Sequence, residues 1–136
     1  MNVNTYLHYN GNCEEALKFY EKALGAKITM LMRYGDAPAN CQTAPEVQQK
    51  IMHGRIAIGD NVIMVSDAPP GYFHGQNGFS LSLSINTPEE AEHLFTTLSE
   101  KGTISMPLAE TFWATRFGML IDQFGVPWMI NCEKQG

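Results

Sequence analysis

The sequence predicts an α+β domain made of two pseudo-symmetric βαβββ modules whose sheets curve around a cavity. Three observations predict it. Glu110 to Asn131 holds both tryptophans and two short apolar runs: Arg116 to Ile121 as a strand, Asp122-Gln-Phe-Gly125 as the reversal, and Val126 to Cys132 as the return. A plainer hairpin comes earlier, with Ile51 to Ile58 and Val62 to Ser66 around Gly59-Asp-Asn61. An amphipathic helix with the same acidic opening precedes each hairpin: Glu14-Glu-Ala16 lies over Glu89-Glu-Ala91, and Phe19-Tyr20 over Leu94-Phe95. Val62-Ile-Met64 and Ser66 likewise lie over Pro127-Trp-Met129 and Asn131. Internal repetition on this scale outranks local propensity as a guide to fold.

Each element has its own warrant. Val3 to Tyr9 alternates polar and apolar residues and reads as a strand. Asn12 is placed to cap a helix whose first turn holds Glu14 and Glu15, where the helix dipole favours negative charge. Ala16, Phe19, Tyr20, Ala23 and Leu24 form its apolar stripe, and Gly25 is the expected stop. Lys27 to Tyr34 returns as a strand with Ile28, Met30 and Met32 on one face. Gly35 to Gln49, with Pro38 and Pro45, reads as a long surface loop or irregular flap. In the second module Phe79 to Ile85 alternates strictly, Thr87 caps, and Pro88 suits the first helical position. Gly102 is the expected stop there, followed by a short strand at Thr103 to Met106. One domain over residues 1–136 follows, with module one at 1–67, a connector at 68–78 and module two at 79–136. The uncovered sheet faces of the two halves are expected to enclose the site, where pockets commonly form.

Composition excludes several functions. The net charge of −5 and the lack of a basic patch argue against nucleic acid. No apolar run approaches the roughly 20 residues that cross a bilayer, and the N-terminus lacks the charged and apolar regions of a signal peptide. A cytoplasmic protein that neither enters nor binds membrane is the expectation. Cys13, Cys41 and Cys132 are widely spaced and form no CxxC pair, so free thiols are expected. No Ser-His-Asp set, P-loop or dinucleotide fingerprint is visible.

Two βαβββ modules with ALKFYEKALG closing the first helix resemble the vicinal oxygen chelate superfamily, which includes glyoxalase I and extradiol dioxygenases. Within it, GNCEEALKFYEKALGA, SDAPPG, ETFWATRFG and DQFGVPWMIN resemble the PhnB-like branch, over essentially the whole chain. Many PhnB-like sequences have His after the turn glycine, where Val126 stands here. Some members carry the name of a demethylubiquinone methyltransferase, but this chain has no glycine-rich strand-to-helix loop to hold S-adenosylmethionine. The resemblance implies a glyoxalase-like curved sheet, a small-molecule ligand and a homodimer. It also implies a divalent metal held by His and Glu from the first and last strands of each module. Those positions fall near Asn4 or Thr5, Met64, Ser80 and Met129. Thioethers, hydroxyls and an amide suit such ions poorly, so neither metal nor cofactor is expected.

Other residues could carry chemistry or contacts. His8 has the parity of an inward residue and could act as an acid or base, or simply be hydrogen-bonded within its strand. Glu110 precedes Phe112-Trp113, where desolvation would raise a carboxyl pKa; alternatively it is solvated and Trp113 plugs the mouth. Arg55 and Arg116 open corresponding strands and could bind an anion bidentately, or pair with Glu110 or Asp67. Tyr6, Trp113 and Trp128 are candidate ligand-binding residues, Tyr6 and Trp128 lining the cavity and the Trp113 indole covering it, or each is core. Three functions stay open: a metal-independent binding protein or enzyme, a metal-dependent lyase or dioxygenase of glyoxalase type, and a non-catalytic protein that sequesters a toxic compound.

Overall fold

Alternation in β1 (Thr5–Tyr9) buries Leu7 and Tyr9 and leaves Tyr6 and His8 on the opposite side, as in any half-covered strand. Helix α1 (Cys13–Leu24) buries Ala16, Leu17 and Tyr20, and β2 (Lys27–Arg33), β3 (Ile51–Ile58) and β4 (Asn61–Asp67) follow. The second set is β5 (Leu81–Ser84), α2 (Pro88–Leu98), β6 (Thr103–Ala109), β7 (Ala114–Ile121) and β8 (Pro127–Glu133). This computed structural model describes residues 1–38 and 44–135. Cys41 lies outside them, while Cys13 and Cys132 are free and buried.

The strands form two four-stranded sheets, ordered β1-β4-β3-β2 and β5-β8-β7-β6. In each, the first strand pairs parallel to the last and the others pair antiparallel. Each sheet with its helix is therefore one βαβββ module, and the fold is α+β. The chain divides into compact units at 1–75 and 76–136.

Local chemistry explains the element ends. Thr87 Oγ1 accepts from Glu90 N at 3.2 Å, with Pro88 opening α2. Gly25 ends α1 at φ 68° and donates to Glu21 O at 3.1 Å. Asn12 does not cap α1 with its side chain. Asp67, at the end of β4, takes that role: Oδ1 accepts from Cys13 N and Oδ2 from Ile51 N, each at 2.9 Å. A buried carboxylate thus fixes helix start, β3 start and β4 end together. Nor is Gly102 the helix stop, because α2 ends at Leu98 and Lys101 takes the left-handed conformation. Gly102 is needed for space, since a Cβ there would strike Ile121 O. Strand β6 runs on to Ala109, and its Pro107 is tolerated because β6 is an edge strand.

Each helix covers one sheet face. In the first unit Leu7, Tyr9, Ile56 and Val65 are buried with the α1 stripe, and Tyr9 Oη donates to Tyr20 Oη at 3.1 Å. In the second, Phe95 and Leu98 of α2 are buried with Leu120, Trp128 and Ile130. Gly118 allows this approach: a Cβ there would lie 2.7 Å from Phe95 Cε2.

Candidate functional site

The uncovered face of the first sheet follows from register. Met64 stands opposite Tyr6 on β1 and Arg55 on β3, and Arg55 stands opposite Met30 on β2. A register shift between Ile28 and Met30 turns Ile28 to the helix side with Ile56, leaving Met30 and Met32 on the open side. The expected grouping of all three on one face therefore fails at that bulge.

Polar side chains cluster there. Tyr6 Oη lies 3.3 Å from His53 Nδ1, and their ring centroids are 5.8 Å apart. The Tyr6 and His8 rings lie 4.9 Å apart, and Ser66 Oγ is 3.4 Å from His8 Nδ1. Tyr6 is 39% exposed, and His8 and Arg55 are exposed as well, so the cluster presents polar atoms beside Met30, Met32 and Met64 on the same face. His53 and Ser66 were not singled out from sequence as site residues. Same-face parity with His8, counted through the β3–β4 hairpin, was the signal that could have found them.

The second sheet's open face is more apolar. Met129 stands opposite Ser82 and Met119, so Ser82 holds the place of Tyr6 and Met119 the place of Arg55. Thr111 and Ala114 close a turn by Thr111 N to Ala114 O at 2.9 Å, with Phe112 and Trp113 at its tip. Trp113 is 43% exposed and meets Phe117 edge-on at 5.2 Å. Asn131 shares this face with Phe117, and its Oδ1 is buried with no hydrogen-bond partner among the described residues.

Three sequence candidates stand elsewhere. Trp128 is 1% exposed on the helix-covered face, and its Nε1 donates to Asp122 Oδ2 at 2.9 Å. It is a core residue, not a lining one. Arg116 is not the counterpart of Arg55: it pairs with buried Cys132, and its Nε donates to Glu92 Oε1 of α2 at 3.0 Å. The ion pair holds it on the helix side. Glu110 is exposed beside Lys134 Nζ at 3.4 Å, so the aromatic pair does not desolvate it.

A separate cleft of about 320 Å³ opens at the start of α1, lined by Gly11, Glu14, Lys18, Arg33, Lys50 and Asp67 among others. Arg33, Glu14, Lys18, Lys50 and Asp67 already have partners there. Arg33 donates to both Glu14 oxygens at 3.0 and 2.9 Å, and Lys50 Nζ donates to Gly11 O at 2.8 Å. The Arg33 hydrogen bonds hold the Glu14 carboxyl below its ordinary pKa. Burial pushes the Cys13 thiol far up, with Asp67 and Glu14 adding to it, so this thiol is unreactive.

A βαβββ module that occurs twice, with a helix covering one face of each sheet, defines a protein of the vicinal oxygen chelate class. Comparison narrows this. Residues 1–131 match the family described as 3-demethylubiquinone-9 3-methyltransferase, and the chain belongs to this family, the PhnB-like branch of the superfamily. It is 37% identical to Protein YjdN of Escherichia coli over 143 residues, covering 99% of this chain and 97% of that one. The crystal structure of protein PA1353 from Pseudomonas aeruginosa superimposes with a TM-score of 0.90 at 43% identity, covering 99% of both chains. The putative 3-demethylubiquinone-9 3-methyltransferase, PhnB protein, from Bacillus cereus gives 0.81 at 26% identity, with 97% of this chain and 99% of that chain covered.

The superfamily implies a divalent metal, and the residues here do not fit one. The register sets Met64 against Tyr6 and Met129 against Ser82, two thioethers facing hydroxyls. Hard and borderline divalent ions take carboxylate and imidazole instead. Among the described residues, no group of three His, Cys, Asp or Glu side chains is placed to hold an ion.

Proposed function

We propose that this protein binds a small molecule on the open face of the β1-β4-β3-β2 sheet, without a resident metal, and works as a homodimer. One observation carries the reading: Tyr6, His8, His53 and Ser66 form a linked polar cluster on a sheet face that α1 leaves uncovered. Tyr6 touches both imidazoles, His8 and His53, with ring centroids 4.9 and 5.8 Å away. The three methionines beside the cluster suit an adaptable apolar surface. Tyr6 Oη and the imidazoles can each donate or accept, which positions a polar ligand group.

The methyl transfer named in the family description finds no cofactor cradle in these residues. The turns entering the helices are Asn10-Gly11-Asn12 and Asn86-Thr87, neither a glycine-rich phosphate-type loop. A metal-dependent lyase or dioxygenase meets the donor problem described above. A sequestering protein would use the same face without turnover. Thermal-shift screening of a metabolite set, repeated with Tyr6→Ala and His53→Ala, tests the reading. The expected result is hits that stabilise the parent chain and lose most of that stabilisation in both variants. Turnover of those hits then separates enzyme from sequestering protein. Hits unaffected by either variant, or one tightly held metal per chain by elemental analysis, would overturn the proposal.

A further inference from the structure

Resting on the binding-face reading above, we infer that the ligand is a small organic anion with an apolar body, its charge taken by Arg55. Arg55 is exposed and forms no ion pair among the described residues, unlike Arg33 and Arg116, which are held by Glu14 and Glu92. The face around it carries no acid. Tyr6 and His8 on β1, Met64 and Ser66 on β4, and Met30 and Met32 on β2 point the same way, and none is Asp or Glu. Asp67 belongs to the covered side and is only 2% exposed. In a chain of net charge −5, a four-stranded face holding a free guanidinium and two imidazoles but no carboxylate is complementary to an anion.

Register also bounds the ligand's shape. Tyr6, Met64 and Arg55 lie in one row across β1, β4 and β3, so Tyr6 and Arg55 are two strand spacings apart, about 10 Å. The Tyr6 side chain crosses this gap to bring its Oη within 3.3 Å of His53 Nδ1, two residues from Arg55 on β3, so a charged group at Arg55 lies close to a hydrogen-bonding group at Tyr6 Oη or His53. A short aromatic or aliphatic body suits the methionines beside these groups. The guanidinium fork matches a planar carboxylate with two parallel hydrogen bonds, which a lysine could not supply.

The test is titration of the whole chain with benzoate and with benzamide, its neutral isostere, read by the Met64 and Met30 methyl signals in NMR. Both probes are expected to move these methyls, benzoate at the lower concentration. Arg55→Gln is expected to weaken benzoate about tenfold, the scale of one charged hydrogen-bonding partner, and to leave benzamide unchanged. Arg55→Lys should recover only part of the loss. Equal affinity of the two probes, or no effect of Arg55→Gln, would overturn the anion while leaving the binding face standing. If neither probe moves these methyls, the binding face and the anion fail together.

Discussion

Trp113 and Trp128 show how one residue type serves two purposes in one module. Trp128 is enclosed, and its indole nitrogen satisfies Asp122, a buried carboxylate that also accepts from Phe124 N and Val126 N at 2.8 and 3.0 Å. Trp113 stands half-open at a turn tip against Phe117. Trp128→Ala is therefore expected to cost about 3–5 kcal/mol, the range for a packed aromatic. Trp113→Ala should cost about 1 kcal/mol, since much of its surface stays in water. Urea unfolding of both variants checks this; equal losses would place Trp113 in the core as well. The sequence does not separate the two, because both lie in apolar surroundings and only the strand partner reveals the face. Asp67 and Asp122 were equally hard to read, for their roles depend on backbone amides that the fold brings to them.

At the scale of elements, most boundaries were legible and the faces were not always. The repeat located both helices and both hairpins, and Thr87, Pro88 and Gly25 act as their positions suggest. Arg116 was misplaced for a physical reason. Arg116 and Arg55 both sit near the start of their strands, but with Met64 laid over Met129 the counterpart of Arg55 is Met119, and the odd offset of three residues puts Arg116 on the other face. In β2 the cause is different: a bulge at Thr29 breaks the alternation between Ile28 and Met30. Asn12 failed as a cap because its backbone, at φ −120° and ψ 25°, is not the extended one a capping side chain uses, while Asp67, 54 residues away, accepts from the Cys13 amide. Element docking also predicts a pH dependence. Glu14 of α1 is tied bidentately to Arg33 of β2, and its carboxyl pKa is lowered in the folded state. That stabilisation is present above the unfolded carboxyl pKa and is lost as pH falls through the lowered folded value. Glu14→Gln should therefore cost about 0.5–1 kcal/mol at neutral pH, as a partly exposed pair does. The difference from the parent should vanish on acidification. A cost independent of pH would show that the ion pair contributes nothing.

For the whole molecule, the fold class was legible because repetition needs no knowledge of face or register, and the family followed from motifs spread along the full chain. The candidate site was legible only in part. Tyr6, His8 and Arg55 lie on one open face, while His53 and Ser66 complete the cluster through a register that sequence does not print. No helix among the described residues is long and apolar enough to cross a membrane. The proposed homodimer predicts a light-scattering mass near twice 15.2 kDa at micromolar concentration. A mass of one chain throughout would contradict it.

The central claim is that ligand binds on the open face of the first sheet rather than in the charged cleft beside α1. Methionine-methyl and backbone-amide NMR of the full chain, with any compound found by thermal shift, distinguishes the two places. Perturbation of the Met30 and Met64 methyls, with the Gly11, Lys18 and Lys50 amides unmoved, is the predicted result. Unmoved Met30 and Met64 methyls, with shifts gathered at Gly11, Lys18 and Lys50, would contradict it.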